Sequence, residues 1–263
     1  MTELKSYQQL EEDDLHIGTS VYKSRLIVGT GKYTSEDIAK ESIINSGSEL
    51  VTLALKRYDK NDSNNILRPI GTKKLLPNTA GVLTADEAIR SSKISRELFQ
   101  TNLIKLEIIS SSQDLDPNME ETLIAAKKLV QDGFEVYVYC DRDVNHCLAL
   151  EDFGCVAIMP LGASIGSGRG FDSINELEAL RKKIKQILIV DAGLGAPSEA
   201  GLCMEMGFDA VLVNTAIAKA DNPPLMAEAF KHAVESGRAA YFAGRIQRSE
   251  IGNPSSPTKF LSR

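Results

Sequence analysis

A lysine and a glutamate separated by one residue sit inside an otherwise apolar run, Leu103-Ile104-Lys105-Leu106-Glu107-Ile108-Ile109. In an extended chain a period of two sends Ile104, Leu106 and Ile108 to one face and Lys105 with Glu107 to the other. If that second face is enclosed, the lysine loses part of its preference for the charged form and becomes an amine nucleophile. Glu107 would then move protons to and from whatever the amine attacks. The competing reading is an internal ion pair that only holds structure, for which desolvation is a poor recommendation. Asp191 closes a second apolar run, Ile187-Leu188-Ile189-Val190-Asp191, directly before Ala192-Gly193, and is either a further acid/base or a loop cap. Gly162, Gly166, Gly168 and Gly170 follow Leu161, Gly193 and Gly195 follow Asp191, and Asn214-Thr215 follow Val213. Backbone N–H groups freed by glycine suit an anion, above all a phosphate, although turn chemistry alone would also use them.

Other motifs fail on spacing. Gly29-Thr30-Gly31-Lys32 resembles the end of a nucleotide-binding P-loop, but that pattern needs glycine at Leu26 and Ser or Thr at Tyr33. Gly166-Ser167-Gly168-Arg169-Gly170 lacks the last glycine of a dinucleotide fingerprint, with Phe171 in its position. His16, His146 and His232 form no metal-ligand spacing, so neither a metal nor another cofactor is expected.

Lys105 and Asp191 belong to a series of short, β-branched, apolar runs that read as strands buried on both faces. These are Arg25–Gly29, Leu50–Leu55, Lys74–Asn78, Leu103–Ile109, Glu135–Cys140, Val156–Leu161, Ile187–Asp191 and Ala210–Asn214. Pro77 makes the third the weakest strand. Helical periods fall between them, at Ser35–Asn45, Ala85–Leu98, Glu121–Gln131, Asn145–Phe153, Asn175–Lys185 and Ser198–Met206. Gly47, Gly133, Gly154 and Gly207 suit helix ends, while Asp116-Pro117 and Ala196-Pro197-Ser198 suit helix starts. Strand and helix alternating in this number predict an α/β fold, a single-domain (β/α)8 TIM barrel, rather than an open doubly wound sheet. A closed barrel has no wet face, so Lys105 and Glu107 should point inward, toward the strand ends where such barrels keep their sites. The expected organisation is an N-terminal extension over 1–22, the barrel over 23–245 and a mobile C-terminal tail over 246–263.

Composition sets the outer bounds. The chain has 263 residues, 43% hydrophobic and 25% charged, with a formal net charge of −6. That is ordinary globular composition, and the acid excess argues against a nucleic-acid surface. No apolar run approaches the roughly 20 residues of a membrane span. Cys140, Cys147, Cys155 and Cys203 match neither a redox pair nor an iron–sulfur pattern and read as buried free thiols. The acidic start, with Glu3, Glu11, Glu12, Asp13 and Asp14, fits neither a secretory signal nor a transit peptide. The expected location is the cytoplasm, or the plastid stroma for a plastid-encoded chain.

From about Leu15 to about Pro257 the sequence resembles the ThiG family, the thiazole synthases of thiamin biosynthesis. The resemblance rests on ordered segments: Ser24-Arg25-Leu26-Ile27-Val28-Gly29-Thr30-Gly31-Lys32-Tyr33, Leu76-Pro77-Asn78-Thr79-Ala80-Gly81, Ile104-Lys105-Leu106-Glu107 and Met159-Pro160-Leu161-Gly162-Ala163 with Ile165-Gly166-Ser167-Gly168. It continues through Ile189-Val190-Asp191-Ala192-Gly193, Val213-Asn214-Thr215-Ala216-Ile217-Ala218 and Ala243-Gly244-Arg245. The resemblance implies a barrel that builds the thiazole phosphate ring. A lysine at the position of Lys105 forms an imine with 1-deoxy-D-xylulose 5-phosphate, and acids matching Glu107 and Asp191 shuttle protons during the later rearrangement and ring closure. Gly166, Ala192, Gly193, Asn214 and Thr215 match the family's sugar-phosphate positions. It further implies a small sulfur carrier protein of the ThiS type, acting as its thiocarboxylate, an enzyme that forms dehydroglycine, and assembly into a homo-oligomer, a tetramer. Val82, Ser164, Lys56 and Arg169 depart from the family pattern, where Cys, Pro, Arg and an uncharged residue are usual. Two rivals are a Schiff-base aldolase on a phosphorylated sugar and a non-catalytic phosphosugar-binding protein.

Overall fold

A strand covered on both faces must be apolar on both, and the strands of this chain sort their side chains accordingly. The computed structural model describes residues 12–57, 70–111, 113, 115–246 and 249–252. Two short strands come first, β1 (Leu15–Ile17) and β2 (Ser20–Tyr22). Then follow β3 (Leu26–Gly29), β4 (Leu50–Ala54), β5 (Lys74–Asn78), β6 (Leu103–Leu106), β7 (Glu135–Cys140), β8 (Ala157–Pro160), β9 (Ile187–Asp191) and β10 (Ala210–Val213). The last eight pair in parallel, each with the next, and β10 pairs back onto β3, closing the barrel.

The helices are α1 (Glu36–Asn45), α2 (Ala85–Phe99), α3 (Met119–Gln131), α4 (Val144–Asp152), α5 (Ile174–Lys183), α6 (Pro197–Glu205), the single turn α7 (Thr215–Ala218) and the long α8 (Pro223–Ala243). Ser35, Thr84, Asn118, Asp143, Ser173 and Asn222 each accept a backbone N–H of the turn they open, satisfying donors a helix start leaves free. Asp116-Pro117 precedes its helix by two residues, because Pro117 bridges back to Ile109 before Asn118 caps.

Two apolar layers result from the period of two. Leu26, Val28, Val51, Ile104, Leu106, Val136, Val138, Val190 and Val211 face outward and pack with the helices. Ile27, Leu50, Leu76, Leu103, Tyr137, Met159, Ile189 and Leu212 fill the interior. Pro77 is accommodated: β5 pairs along its whole length with β4, but its ladder to β6 is reduced to Asn78 opposite Lys105. The expected strand Leu103–Ile109 ends early, at Leu106. Beyond it the Thr79 hydroxyl accepts from Glu107 N–H and donates to Glu107 C=O, both at 2.9 Å, replacing ladder bonds.

Leu15–Tyr22, without periodic signal in the sequence, forms an antiparallel hairpin. Leu15, Ile17 and Tyr22 join the interior layer, so the hairpin plugs the N-terminal end of the barrel. Thr19 donates its hydroxyl to Glu135 at 2.6 Å. Asp13 accepts from Arg25 at 3.1 Å and from Arg238 of α8 at 2.7 and 2.8 Å, tying the segment before the hairpin to the last helix. All four cysteines are buried free thiols. Residues 1–11 of the expected extension, and 247, 248 and 253–263 of the expected tail, lie outside the described residues.

Candidate active site

With one end plugged, the other end of the barrel carries the polar interior. Lys105 of β6 points inward, its Nζ 2.6 Å from Asp191 Oδ2 and 3.2 Å from Glu107 Oε2. The three side chains belong to residues only 4%, 7% and 3% exposed (Lys105, Glu107 and Asp191), so water barely screens them. Asn78, at the end of β5, donates its Nδ2 to Glu107 Oε2 at 3.0 Å, and its own Oδ1 accepts from Ala80 N–H at 2.7 Å. That chain of bonds orients the Glu107 carboxylate from behind. Tyr139, one interior position further along β7, has Lys105 Nζ 5.7 Å from its ring centroid.

The lysine differs from what burial alone would give. Desolvation pulls the Lys105 ammonium toward losing its proton, yet Asp191 and then Glu107 more than offset it, and its pKa lies above the usual lysine value. Burial pushes the Asp191 carboxyl upward, against the pull of Lys105. The expectation of a lysine made neutral by its low-dielectric setting is therefore corrected. Asp191 and Glu107 thus favour the protonated form of Lys105, and that proton must be accepted by a neighbour before the amine can attack.

A cavity of about 180 Å³ opens above this trio. Its walls include Lys105, Glu107 and Asp191, and also Gly166, Ala192, Gly193, Asn214 and Thr215, whereas Gly162, Gly168, Gly170 and Gly195 of the same glycine clusters are not among its lining residues. The β9 end turns through Ala192 and Gly193, both with φ in the left-handed region, 71° and 82°. At Gly193 a Cβ would lie 2.3 Å from the backbone nitrogen of Ala163, so the two loops touch there as bare backbone. Glu199 holds the same turn by accepting from Gly195 and Ala196 N–H at 2.7 and 3.0 Å. Gly166 also has a left-handed φ of 75°, but its missing Cβ would meet the Lys32 ammonium at 3.0 Å, across open cavity. Asn214 leaves β10 and opens α7, and a Cβ on Gly29 would strike its side chain at 2.8 Å.

Some lining residues were not singled out from the sequence. Thr30, Gly31, Lys32, Thr52 and Ala54 come from the ends of β3 and β4. The available signal was the Gly29-Thr30-Gly31-Lys32 run, whose composition suits phosphate although its spacing suits no nucleotide. Arg169 is not in the cavity wall: Asp172 holds its guanidinium at 3.0–3.2 Å. Among the described residues no three His, Cys, Asp or Glu side chains gather as a metal site would require.

Fold and cavity together define a (β/α)8-barrel protein with an enclosed ionic trio at the C-terminal ends of its strands. Residues 16–257 match the family model described as thiazole biosynthesis protein ThiG, and the chain belongs to that family. It is 50% identical to a thiazole synthase of Aliivibrio salmonicida, over 94% of this chain and 98% of that protein. A thiazole synthase of Paramagnetospirillum magneticum is 45% identical over 95% of this chain and 79% of its own length. Among solved structures, the BexX/CysO complex of Amycolatopsis orientalis superposes with a TM-score of 0.81 at 27% identity, covering 90% of this chain and 98% of that one. The 3-hexulose-6-phosphate synthase of Salmonella typhimurium, at 15% identity, TM-score 0.53 and coverage of 80% and 98%, shares the fold. The chain is accordingly an enzyme of the thiazole synthase type, working in thiamin thiazole biosynthesis.

Proposed function

We propose that the chain assembles thiazole phosphate from 1-deoxy-D-xylulose 5-phosphate, dehydroglycine and the sulfur of a carrier-protein thiocarboxylate, through an imine on Lys105. The observation that carries this is Lys105 Nζ buried 2.6 Å from Asp191 and 3.2 Å from Glu107 in the wall of a cavity. Attack needs a neutral amine. Asp191, the nearest acceptor and one whose proton affinity burial raises, takes the ammonium proton. The amine nitrogen then bonds to the ketone carbon while Asp191 returns that proton to the carbonyl oxygen, giving a carbinolamine; a second proton, shed by the nitrogen and relayed through Asp191, completes the water that leaves as the protonated C=N bond forms. Glu107, oriented by Asn78, moves protons in the tautomerisation and ring closure that follow.

The sugar phosphate would rest on the backbone at Gly166, Ala192, Gly193, Asn214 and Thr215, where glycine leaves N–H groups accessible. Sulfur arrives on a protein of the ThiS type. Support for a protein partner comes from the solved relative, which is a complex of BexX with CysO. A separate enzyme supplies dehydroglycine, and the working unit is a homotetramer in the cytoplasm. Both of these rest on the family resemblance.

Reconstitution tests the reading. Purified enzyme given the phosphoketose, a dehydroglycine source and carrier thiocarboxylate should form thiazole phosphate, and omission of the carrier should abolish it. Carbon–carbon cleavage of the phosphoketose without any carrier would instead identify an aldolase. Binding with no turnover under either condition would identify a phosphosugar-binding protein.

A further inference from the structure

We propose that Lys32 supplies the positive charge of the phosphate subsite, an inference that rests on the phosphoketose reading and adds a residue outside the glycine loops. Among the described residues, four ionisable side chains line the cavity: Lys32, Lys105, Glu107 and Asp191. The trio around Lys105 is one cation against two anions, an excess of negative charge. A phosphomonoester carries up to two negative charges near neutral pH. Neutral backbone amides alone would have to hold that dianion at the mouth of a cavity that otherwise offers it no uncommitted positive charge. Lys32 is the side chain that cancels the excess.

Its geometry fits the role. Lys32 Nζ donates to Thr215 Oγ1 at 3.1 Å and lies 3.0 Å from where a Cβ on Gly166 would stand. The ammonium therefore hangs between the loop after β8 and the start of α7, where the phosphate is proposed to sit. Among the described residues a hydroxyl is its one hydrogen-bond partner and no carboxylate pairs with it. Its charge is uncommitted. The backbone is a second, independent sign. Lys32 has φ 72°, a left-handed conformation that glycine adopts without strain and lysine does not. The neighbouring residues in this loop include two glycines, yet the strained position carries a side chain.

Lys32→Gly relieves the backbone strain, and Lys32→Met removes the charge while keeping the bulk. Both should weaken binding of 1-deoxy-D-xylulose 5-phosphate by about 10- to 100-fold, the size of a lost charge-assisted hydrogen bond, measured by calorimetry. Lys32→Gly should keep or raise the melting temperature, and Lys32→Arg should recover most of the affinity. Borohydride trapping of unphosphorylated 1-deoxy-D-xylulose should fall far less in Lys32→Gly and Lys32→Met than trapping of the phosphate ester. Inorganic phosphate separates the assignment from the sugar reading. Weak phosphate binding that Lys32→Gly abolishes supports the subsite even if the phosphoketose proves the wrong sugar. Wild-type affinity for the phosphoketose in Lys32→Met, equal losses for both sugars, or no phosphate binding by the wild type overturns it.

Discussion

A nucleophilic lysine that rests as an ammonium needs a proton acceptor within reach, and Asp191 at 2.6 Å is the nearest. The direction of the Lys105 shift makes a pH prediction. Its pKa lies above the usual lysine value, so over the neutral to mildly alkaline range the neutral amine is the minor form and grows by about tenfold per pH unit. Asp191 is the larger of the two charges that hold the proton on. Asp191→Asn should therefore move the rising limb of imine formation to lower pH, and Glu107→Gln should do so to a smaller extent. Turnover to thiazole phosphate should nevertheless fall by about 100- to 10,000-fold in each, since Asp191→Asn loses the acid–base group of imine formation and Glu107→Gln that of the later steps. Rapid-quench trapping across pH, run beside product formation, separates the two effects. A limb that shifts to higher pH in Asp191→Asn, or unchanged turnover, would reduce Asp191 to a loop cap.

At the scale of elements, the barrel divides its labour between two ends. The hairpin β1–β2 fills the N-terminal end with Leu15, Ile17 and Tyr22, remote from the ionic trio. Ile17, fully buried, should cost about 2–5 kcal/mol of stability when truncated in Ile17→Ala. The trapping rate per folded molecule should stay at the wild-type level, checked by urea titration together with trapping; a slowed trapping rate in fully folded protein would contradict this division. The eight barrel strands were legible in the sequence because strands covered on both faces are apolar throughout and end in polar residues. The inward phase of Lys105 was legible for the same reason, since Ile104, Leu106 and Ile108 could only belong to the outer layer. The hairpin was not legible: two strands of three residues are too short for a period of two to register. The long helix Pro223–Ala243 had a readable start, Asn222 followed by Pro223 and Pro224, that periodicity alone passes over. Lys32 escaped because its side chain acts across a gap in sequence, on Thr215.

For the molecule as a whole, closure is what turns an ion pair into a reactive site. On a sheet with one wet face Lys105 and Glu107 would meet solvent, where a surface pair is worth little and perturbs little. Pairing β10 onto β3 encloses them, and Asp13, held by both Arg25 and Arg238, ties the first described residues to the last helix. The same enclosure brings Asp191, from the other side of the barrel, within 2.6 Å of a lysine that lies 86 residues earlier in the chain. The central claim is that this lysine becomes covalently bound to substrate. Its most direct measurement is peptide mapping by mass spectrometry after incubation with 1-deoxy-D-xylulose 5-phosphate and borohydride. The account predicts that the reduced sugar phosphate is added to the peptide containing Lys105 and is absent from Lys105→Ala. Labelling at Lys32 or Lys56 instead, or full thiazole phosphate formation by Lys105→Ala, would contradict it.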